Sequence, residues 1–331
     1  MIISRTPFRV SFFGGGTDYP AWYHEHGGAV LAATIDKYCY ISVRQLPPFF
    51  DHRFRLVYSV VENVREISEI RHPAARAVLT QLNVTQGLEI HHDGDLPARS
   101  GLGSSSAFTV GLIGAINAFQ GRYSSKEALA NEAIHIEQCV LREAVGAQDQ
   151  ISTAFGGLNH ITFRTDDTFD VNPVVLPRDR VQALQDHLML VFTGVSRIAA
   201  AIAQTQLENL KHRQKELRAV QDMVNQAIVI LTSPTADLRE FGRLLHEAWT
   251  IKRTLSTQIS NQAIDDLYEA AVRAGAVGGK LLGAGGGGFM LLFVRPEDRP
   301  SVIAALGHRI TVPVKFESSG SRIVLYQPDG L

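Results

Sequence analysis

Apolar positions recur along the chain with two periods, and the changes of period predict where strands and helices alternate. Alternation of apolar and polar residues, or a short continuous apolar run, predicts strands over residues 2–13, 29–43, 53–58, 88–92, 187–192, 289–294, 311–316 and 322–326. Apolar residues at helical spacing predict helices over 72–82, 105–119, 125–145, 198–230, 238–255, 262–274 and 300–307. The helix over 105–119 is apolar almost all round, so we expect it to be buried against a sheet.

The order of these elements indicates an α+β protein of two domains. A chain of 331 residues is long enough for two cores, and its second half is richer in helix than its first. Near the end, a strand, a helix and two strands follow one another over 289–326, as in one half of a ferredoxin-like layer. We therefore place the domain boundary near residue 180, with one domain over 1–180 and the other over 181–331.

Composition and charge narrow the class of protein. Lys and Arg total 32 against 33 Asp and Glu, so the chain lacks the basic excess typical of proteins that bind nucleic acid through phosphates. Cys39 and Cys139 are too few for a disulfide framework and belong to no metal-binding pattern. No apolar run approaches the roughly 18 residues of a membrane span. These features predict a cytoplasmic enzyme acting on small molecules, with neither nucleic-acid nor membrane partners.

Three glycine-rich segments carry the candidate chemistry, and they lie at the start, in the middle and near the end of the chain. They cover residues 8–18, 97–107 and 280–288. In the middle segment, Gly101-Leu-Gly103 is followed by three serines and an apolar run. The backbone amides of such a loop, together with the positive end of the helix that follows, are suited to hold an anion such as a polyphosphate.

Two common nucleotide-binding motifs do not fit these segments. Residues 283–288 match the dinucleotide fingerprint G-x-G-x-x-G, but that motif needs a strand before the loop and a helix after it. Here the pattern predicts a helix before the loop and the strand 289–294 after it. The middle segment has Ser106 in place of the third glycine, and it lacks the Lys-Ser/Thr pair of a Walker loop.

The three segments, in this order and spacing, resemble those of the GHMP kinases, the superfamily of galactokinase, homoserine kinase, mevalonate kinase and phosphomevalonate kinase. The resemblance covers nearly the whole chain. It implies phosphorylation of a small-molecule hydroxyl by ATP, with Mg²⁺ as cofactor. It also implies an N-terminal domain like ribosomal protein S5 domain 2 and a ferredoxin-like C-terminal domain, in agreement with the predicted element order.

The resemblance assigns roles to residues in and around the middle segment. Asp149 is expected to orient the acceptor hydroxyl and take its proton, while Arg9 offsets the developing charge. Glu137 and Ser105 are expected to bind Mg²⁺. The alternatives are a helix-end residue for Asp149, a salt bridge within a strand for Arg9, and an exposed helix acid for Glu137. The loop expected to hold the ATP phosphates comprises Arg99, Ser100, Gly101, Leu102, Gly103, Ser104, Ser105 and Ser106.

The first and third segments bear on the substrate. Where galactokinases carry Gly-Glu-His-Thr-Asp, this chain has Gly-Gly-Gly-Thr-Asp over 14–18, which removes a negative charge and opens space beside the sugar. This form resembles the D-glycero-D-manno-heptose 7-phosphate kinases of the family, which phosphorylate the anomeric hydroxyl on the way to nucleotide-activated heptose for bacterial surface polysaccharides. A 7-phosphate requires a cationic receptor. The expected substrate-binding residues are Gly15, Gly16, Thr17, Asp18, Arg197, Lys252, Lys280, Gly285 and Gly286.

Several alternatives stay open on the sequence alone. The substrate could be an unphosphorylated sugar such as galactose or fucose, or the chain could bind nucleotide as a regulator without turnover. Arg197 and Lys252 could lie on solvated helix faces. Tyr19, Trp22 and Tyr23 could line the sugar pocket or belong to the core. A homodimer is compatible with the sequence, which does not indicate an oligomeric state.

Overall fold

The computed structural model describes residues 1–194, 213–307 and 309–328. In this part of the chain the strands form two sheets, one of eight strands and one of four, and helices pack against both. The predicted α+β class is therefore confirmed. Within the same ranges, no helix is both long enough and apolar enough to cross a bilayer.

The first sheet is built around two long strands, β1 (Ile2–Phe13) and β2 (Gly28–Gln45). The remaining strands of this sheet are β3 (Phe54–Val57), β4 (Val61–Val64), β5 (Leu88–Gly94), β6 (Leu158–Phe163), β7 (Phe169–Pro173) and β12 (Arg322–Tyr326). The strand order is β12-β1-β2-β5-β3-β4, and β6 pairs with both β2 and β7. Neighbouring strands run antiparallel except β3 and β5, which are parallel.

Helices connect the strands of the first sheet, and one of them lies buried on it. They are α1 (Pro20–His26), α2 (Pro73–Gln81), α3 (Ser104–Phe119), α4 (Lys126–Ile134) and α5 (Gln148–Phe155). Helix α3 packs on β1 and β2, as its all-round apolar pattern predicts. It approaches closely because Gly111 faces the sheet: a Cβ there would lie 2.8 Å from Thr6 Oγ1, and the Ser4 hydroxyl donates to the Gly111 carbonyl at 2.8 Å.

The second sheet has the strand order of a ferredoxin-like layer. Its strands are β8 (Leu188–Phe192), β9 (Ala276–Leu281), β10 (Phe289–Val294) and β11 (Thr311–Pro313), arranged as β11-β8-β10-β9. Helix α6 (Arg178–His187) precedes this sheet and spans the predicted domain boundary near residue 180, which stays a prediction. The described helices that follow are α7 (Gln214–Thr232), α8 (Arg239–Thr254) and α9 (Gln262–Arg273), before β9, and α10 (Arg299–Ala305), before β11.

Three features differ from the predicted pattern. Strand β12 pairs with β1 and not with the ferredoxin-like layer, because alternation alone does not say which sheet a strand joins. Strand β9 is not predicted, since Gly278 and Gly279 are poor strand formers. The helix predicted over 125–145 ends at Ile134 and continues as a π-helical segment, His135–Val140. The pattern also misses α1, α5, α6, β4, β6 and β7, and the segment predicted as a strand over 311–316 is a strand only over Thr311–Pro313.

Candidate active site

An arginine and an aspartate form a two-pronged pair between β1 and the first turn of α5. Arg9 Nε donates to Asp149 Oδ1 and Arg9 Nη2 donates to Asp149 Oδ2, both at 2.7 Å. The remaining Nη1 donates to the Gly101 carbonyl, also at 2.7 Å. The Arg9 side chain is 4% exposed and that of Asp149 is 25% exposed. The carboxylate is therefore the part of this Arg9-Asp149 pair that a ligand can reach.

The middle glycine-rich segment holds the N-terminus of α3 against this pair. Gly101 and Gly103 have φ values of 83° and 71°, a left-handed conformation that favours glycine. The backbone N–H of Arg9 donates to the Leu102 carbonyl at 3.0 Å, which fixes the loop to β1. A Cβ on Gly103 would lie 3.5 Å from Asp149 Oδ2. The first-turn amides of α3 have no acceptor within the helix, so they are suited to bind an anion beside Asp149.

The third glycine-rich segment is the turn between β9 and β10, and it packs directly against the middle one. A Cβ on Gly283 would lie 2.6 Å from the Cα of Gly101, and one on Gly288 would lie 2.3 Å from the carbonyl oxygen of Ser100. The backbone N–H of Phe289 donates to that same carbonyl at 3.0 Å. Glycine is needed in this turn because two backbones approach within contact distance.

Two glycines of this turn, Gly285 and Gly286, contact the protein backbone, and their predicted contact with substrate stays a prediction. A Cβ on Gly285 would lie 2.7 Å from the Cα of Ile259, and the N–H of Gly286 donates to the Ile259 carbonyl at 2.9 Å. Both glycines are buried. In the structure both glycines pack the turn against the loop between α8 and α9.

Thr17, in the first glycine-rich segment, also differs from its predicted role. Its hydroxyl contacts the carbonyl oxygens of Gly14 and Ala29 at 2.8 and 2.9 Å, and it accepts the N–H of Ala29 at 3.1 Å. The side chain is fully buried. Thr17 therefore joins the turn after β1 to the start of β2, and its hydroxyl is occupied by these backbone contacts.

Asp18 joins the first segment to the loop that precedes α5. Its Oδ1 accepts the N–H of Gly16 at 2.9 Å, and its Oδ2 accepts the N–H of Gln148 at 3.4 Å. A Cβ on Gly146 would lie 1.8 Å from Oδ2, so that position has no room for a side chain. Burial raises the pKa of Asp18, and the nearby charge of Asp149 raises it further. The charge of Asp18 is thus close enough to act on Asp149, its carboxylate is bound by backbone N–H groups, and its predicted contact with substrate stays a prediction.

Glu137 lies in the π-helical segment, and its carboxylate points to the start of α3. Ser106 Oγ donates to Glu137 Oε2 at 2.9 Å, and the side-chain amide of Gln150 donates to the same oxygen. The other oxygen, Oε1, is buried without a hydrogen-bond partner. Burial raises the pKa of Glu137 to about 7. Ser106 is thus the serine that contacts Glu137, whereas Ser105, the serine predicted to bind Mg²⁺, is exposed.

Two lysines predicted to bind a distal phosphate turn their ammonium groups into the protein. Lys280, on β9, donates to the Phe12 carbonyl of β1 at 2.8 Å, so it joins the two sheets. Lys252, on α8, donates to the carbonyl oxygens of Leu281 and Gly283. We call Lys252 and Lys280 the inward-facing lysines.

The surroundings of the inward-facing lysines also lower the pKa values of their ammonium groups. Burial, together with the positive charge of Arg9, lowers the pKa of Lys280 to about 7. Burial likewise lowers the pKa of Lys252 well below its ordinary value, and the charges of Lys280 and Arg9 add to this effect. Their predicted role as phosphate receptors is therefore not supported by their contacts, and the third candidate, Arg197, lies outside the described residues.

Of the three aromatic residues that follow the first segment, two belong to the core. Trp22 and Tyr23 are 2% and 4% exposed. Tyr19 is only partly buried and borders the site: burial raises the pKa of its hydroxyl, and the charges of Asp18 and Asp149 raise it further. Tyr19 is thus the aromatic residue of this group that is placed to contact a substrate.

Comparison with known proteins decides the family. Residues 56–157 match the family model of the GHMP kinases N terminal domain, and residues 229–309 match that of the GHMP kinases C terminal domain. A D-glycero-alpha-D-manno-heptose 7-phosphate kinase of Campylobacter jejuni is 30% identical over 315 residues, which are 92% of this chain and 93% of that relative. The chain belongs to the GHMP kinase family. This confirms the predicted family, the fold and the enzyme class, an ATP-dependent sugar kinase.

Further relatives and solved structures of GHMP kinases agree with this assignment. A mevalonate kinase of Archaeoglobus fulgidus is 29% identical over 308 residues, 91% of this chain and 96% of that relative. A D-glycero-D-manno-heptose 1-phosphate kinase from Bacteroides thetaiotaomicron has a TM-score of 0.79 at 23% identity, with 98% of both chains covered. A Lactococcus lactis galactokinase complexed with galactose has a TM-score of 0.74 at 17% identity, covering 97% of this chain and 94% of that one. At these identities the structures show the shared fold alone.

In this GHMP kinase the surroundings of Glu137 fit a divalent cation that also contacts ATP. Glu137 Oε1 is buried and unpartnered, and the Ser106 hydroxyl lies beside the carboxylate. Mg²⁺ commonly takes one or two protein carboxylates and completes its coordination with water and substrate phosphates. Within the described ranges, no three His, Cys, Asp or Glu side chains form a metal-binding cluster. This donor set suits a cation that arrives with the nucleotide.

The sequence-based prediction misses two partners of Glu137. They are Ser106 and Gln150. Gln150 directly follows Asp149, and its position next to an expected catalytic residue was the available signal. Ser105 and Ser106 differ by one helical position, which is about 100° of rotation. Only knowledge of which face of α3 is turned toward Glu137 separates them.

Proposed function

We propose that this ATP-dependent sugar kinase transfers the γ-phosphoryl group of ATP to the anomeric hydroxyl of D-glycero-D-manno-heptose 7-phosphate, forming the 1,7-bisphosphate and ADP. The observation that carries the proposal is the Arg9-Asp149 pair beside the N-terminus of α3. The choice of sugar is supported by the Gly-Gly-Gly-Thr-Asp sequence over 14–18 and by the C. jejuni relative.

Asp149 and Arg9 divide the work at the reacting atoms. The anomeric oxygen forms a bond to the γ-phosphorus while the bond from that phosphorus to the ADP oxygen breaks. Asp149 accepts a hydrogen bond from the anomeric hydroxyl, orients it and takes its proton. Arg9 holds both carboxylate oxygens of Asp149 in place, and its fixed positive charge lies next to the charge that develops on the transferring group.

The N-terminus of α3 and Glu137 act on the nucleotide. The first-turn amides of α3, at Ser104, Ser105 and Ser106, hold phosphate oxygens next to Asp149. Glu137 and Ser106 would hold Mg²⁺, which when bound offsets charge on the phosphates. The Arg9-Gly101 hydrogen bond keeps the phosphate loop and the acceptor site in one rigid unit.

A second candidate function, phosphorylation of an unphosphorylated sugar, is favoured by one observation. Lys252 Nζ donates to two backbone carbonyls and Lys280 Nζ to one, and both inward-facing lysines are buried with lowered pKa values. A receptor for a 7-phosphate needs a group that keeps its positive charge. A neutral hexose such as galactose or fucose would make no such demand.

The proposal is tested by an ADP-release assay with Mg·ATP and a panel of acceptors. The panel contains heptose 7-phosphate, heptose without the phosphate, sedoheptulose 7-phosphate, galactose, fucose, mannose and mevalonate, and Asp149→Ala is the inactive control. We expect the highest kcat/KM with heptose 7-phosphate and its loss in the variant. Equal turnover of heptose with and without the phosphate would rule out a 7-phosphate receptor, and highest turnover of a neutral hexose would establish the second candidate.

A further inference from the structure

The turn after β1 contains three successive glycines, but its backbone requires only two of them. Gly14 has a φ of 84°, and a Cβ there would lie 1.9 Å from the carbonyl oxygen of Ala29. Gly16 has a φ of 107°. Gly15 lies outside the left-handed region, and no atom lies closer than 3.6 Å to the position its Cβ would take. A side chain at residue 15 is therefore sterically permitted, and glycine there leaves a space.

Two polar side chains border the space over Gly15. The atoms nearest to its missing Cβ are Ser11 Oγ and Gln148 Nε2, each at 3.6 Å. Ser11 is 6% exposed, and its Oγ is buried without a hydrogen-bond partner. Gln148 Oε1 is likewise buried and unpartnered. Unpaired buried polar atoms are unfavourable, so a ligand group that forms hydrogen bonds with both the Ser11 and the Gln148 side chains would be bound tightly.

This space is next to the reacting atoms. Ser11 is two residues from Arg9 on β1, and no bulge interrupts the pairing of β1 with β2 between them, so both side chains project from the same face of the strand. Gln148 directly precedes Asp149 in the first turn of α5. The space over Gly15 is thus bordered by one side chain from the strand that carries Arg9 and by the residue next to Asp149.

We infer that the space over Gly15 is a subsite for one hydroxyl of the sugar acceptor, recognised by Ser11 and Gln148. A hydroxyl is both donor and acceptor, so it can accept from Gln148 Nε2, the amide atom nearest to the space, and donate to Ser11 Oγ at once. An acceptor with hydrogen in place of that hydroxyl leaves both protein atoms unpaired and is rejected. The inference rests on the proposed function only in that the acceptor is a sugar, and it holds for a heptose 7-phosphate or a hexose alike.

The first test fills the space with a single methyl group. Gly15→Ala is compatible with the backbone, and we expect it to raise KM for the sugar about tenfold or more while KM for ATP and the melting temperature stay unchanged. Gly114→Ala is the matched control: its Cβ would meet only the Leu129 methyl groups, at 3.7 and 4.0 Å, within α3 and away from the site. An unchanged KM for the sugar in Gly15→Ala would overturn the inference.

The second test removes the polar atoms one at a time. Ser11→Ala and Gln148→Met should each raise KM for the sugar about tenfold. In the double variant the rise in KM should be smaller than the product of the two single effects, because both side chains bind one hydroxyl. A series of monodeoxy sugars should contain one that is a poor acceptor for the wild type yet loses nothing further in the variants. Purely multiplicative effects, or an equal rise in KM for ATP, would contradict a shared subsite.

Failure of this inference can be told apart from failure of the proposed function. The variants are assayed with the acceptor that has the highest kcat/KM in the panel, whichever sugar that is. If a neutral hexose is the best acceptor, the heptose proposal fails while the subsite is still tested on that hexose. If heptose 7-phosphate is the best acceptor and Gly15→Ala leaves its KM unchanged, the subsite fails alone.

Discussion

The Arg9-Asp149 pair and the inward-facing lysines are two charged regions of one site with opposite characters. The three side-chain nitrogens of Arg9 donate to the Asp149 carboxylate and to the Gly101 carbonyl, and the carboxylate stays accessible. The ammonium groups of Lys252 and Lys280 instead donate to backbone carbonyls. Their pKa values are lowered by burial, whereas a guanidinium stays protonated in any such environment. A cation beside a glycine-rich segment can therefore serve either chemistry or packing, and its hydrogen-bond partners distinguish the two.

The largest expected effect comes from the carboxylate of the pair. Asp149→Asn keeps the shape of the side chain but removes the group that takes the proton, so we expect kcat to fall about a thousandfold with KM for ATP little changed. The measurement is steady-state ADP release. Asp166→Asn, which alters an exposed acid in the turn between β6 and β7, should behave as wild type. Loss of ATP binding in Asp149→Asn would instead place this residue in the nucleotide site.

A smaller effect is expected from the other member of the pair. Arg9→Lys keeps the charge but cannot make the two-pronged contact with Asp149 and the Gly101 hydrogen bond together, so kcat should fall about a hundredfold. Arg44→Lys, in the more exposed ion pair with Glu89, is the matched control and should leave kcat unchanged. If Arg9→Lys were fully active, Arg9 would supply only a positive charge. Arg9 would then differ from the inward-facing lysines only in its position.

Glu137 tests whether a buried acid belongs with the chemistry or with the packing. Glu137→Gln should raise the Mg²⁺ concentration needed for half-maximal activity about tenfold, because an ionised ligand of the cation is lost. Glu247→Gln changes an exposed acid on α8, and serves as the control. A Mg²⁺ dependence identical to that of the wild type, with a lowered melting temperature, would assign Glu137 to packing.

The smallest effect on activity, and a distinct effect on stability, is expected at Lys280. Its pKa is about 7 in the folded chain against an ordinary value of 10.5, so the unfolded chain binds more protons between these pH values. The free energy of unfolding should therefore rise with pH across this window, by up to about 1.4 kcal/mol per pH unit from this group. Lys280→Met should remove that contribution and flatten the curve.

Chemical denaturation at pH 7, 8 and 9 measures this slope directly. Lys215→Met removes an exposed lysine of α7 and should leave the slope as in the wild type. Parallel curves for Lys280→Met and wild type would mean that Lys280 carries its charge in the folded protein, and the contrast with Arg9 would then fail.

The sequence predicts the reactive side chains of the site better than the contacts that hold the site together. Arg9 and Asp149 are found because their motifs are local, and the structure brings them together over 140 positions of chain. The partners of Lys252 and Lys280 are backbone carbonyls set by tertiary packing, which no local pattern contains. Residue type gives only the charge of a side chain, whereas its role depends on the atoms around it.

The same limit explains the missed strand β9. Gly278 and Gly279 weaken the strand pattern, yet both are needed: a Cβ on Gly278 would lie 2.0 Å from the carbonyl oxygen of Gly242 on α8, and one on Gly279 would lie 2.3 Å from that of Leu291. Close approach of a helix to a strand thus removes the side chains by which a strand is recognised. The regular, well-separated elements of the first sheet, β1 and β2, are predicted nearly to their ends.

The pairing of β12 with β1 has a consequence for how the enzyme is made. Strand β1 carries Arg9 and Ser11, but its outer neighbour is synthesised more than three hundred residues later. The first sheet therefore has an open edge throughout translation, and that edge closes only when residues 322–326 have been made. Such a distant contact is costly in loop-closure entropy and slow to form. A nascent chain of this kinase would thus present β1 to chaperones, or to the β1 edge of another unfinished chain, until residues 322–326 are added.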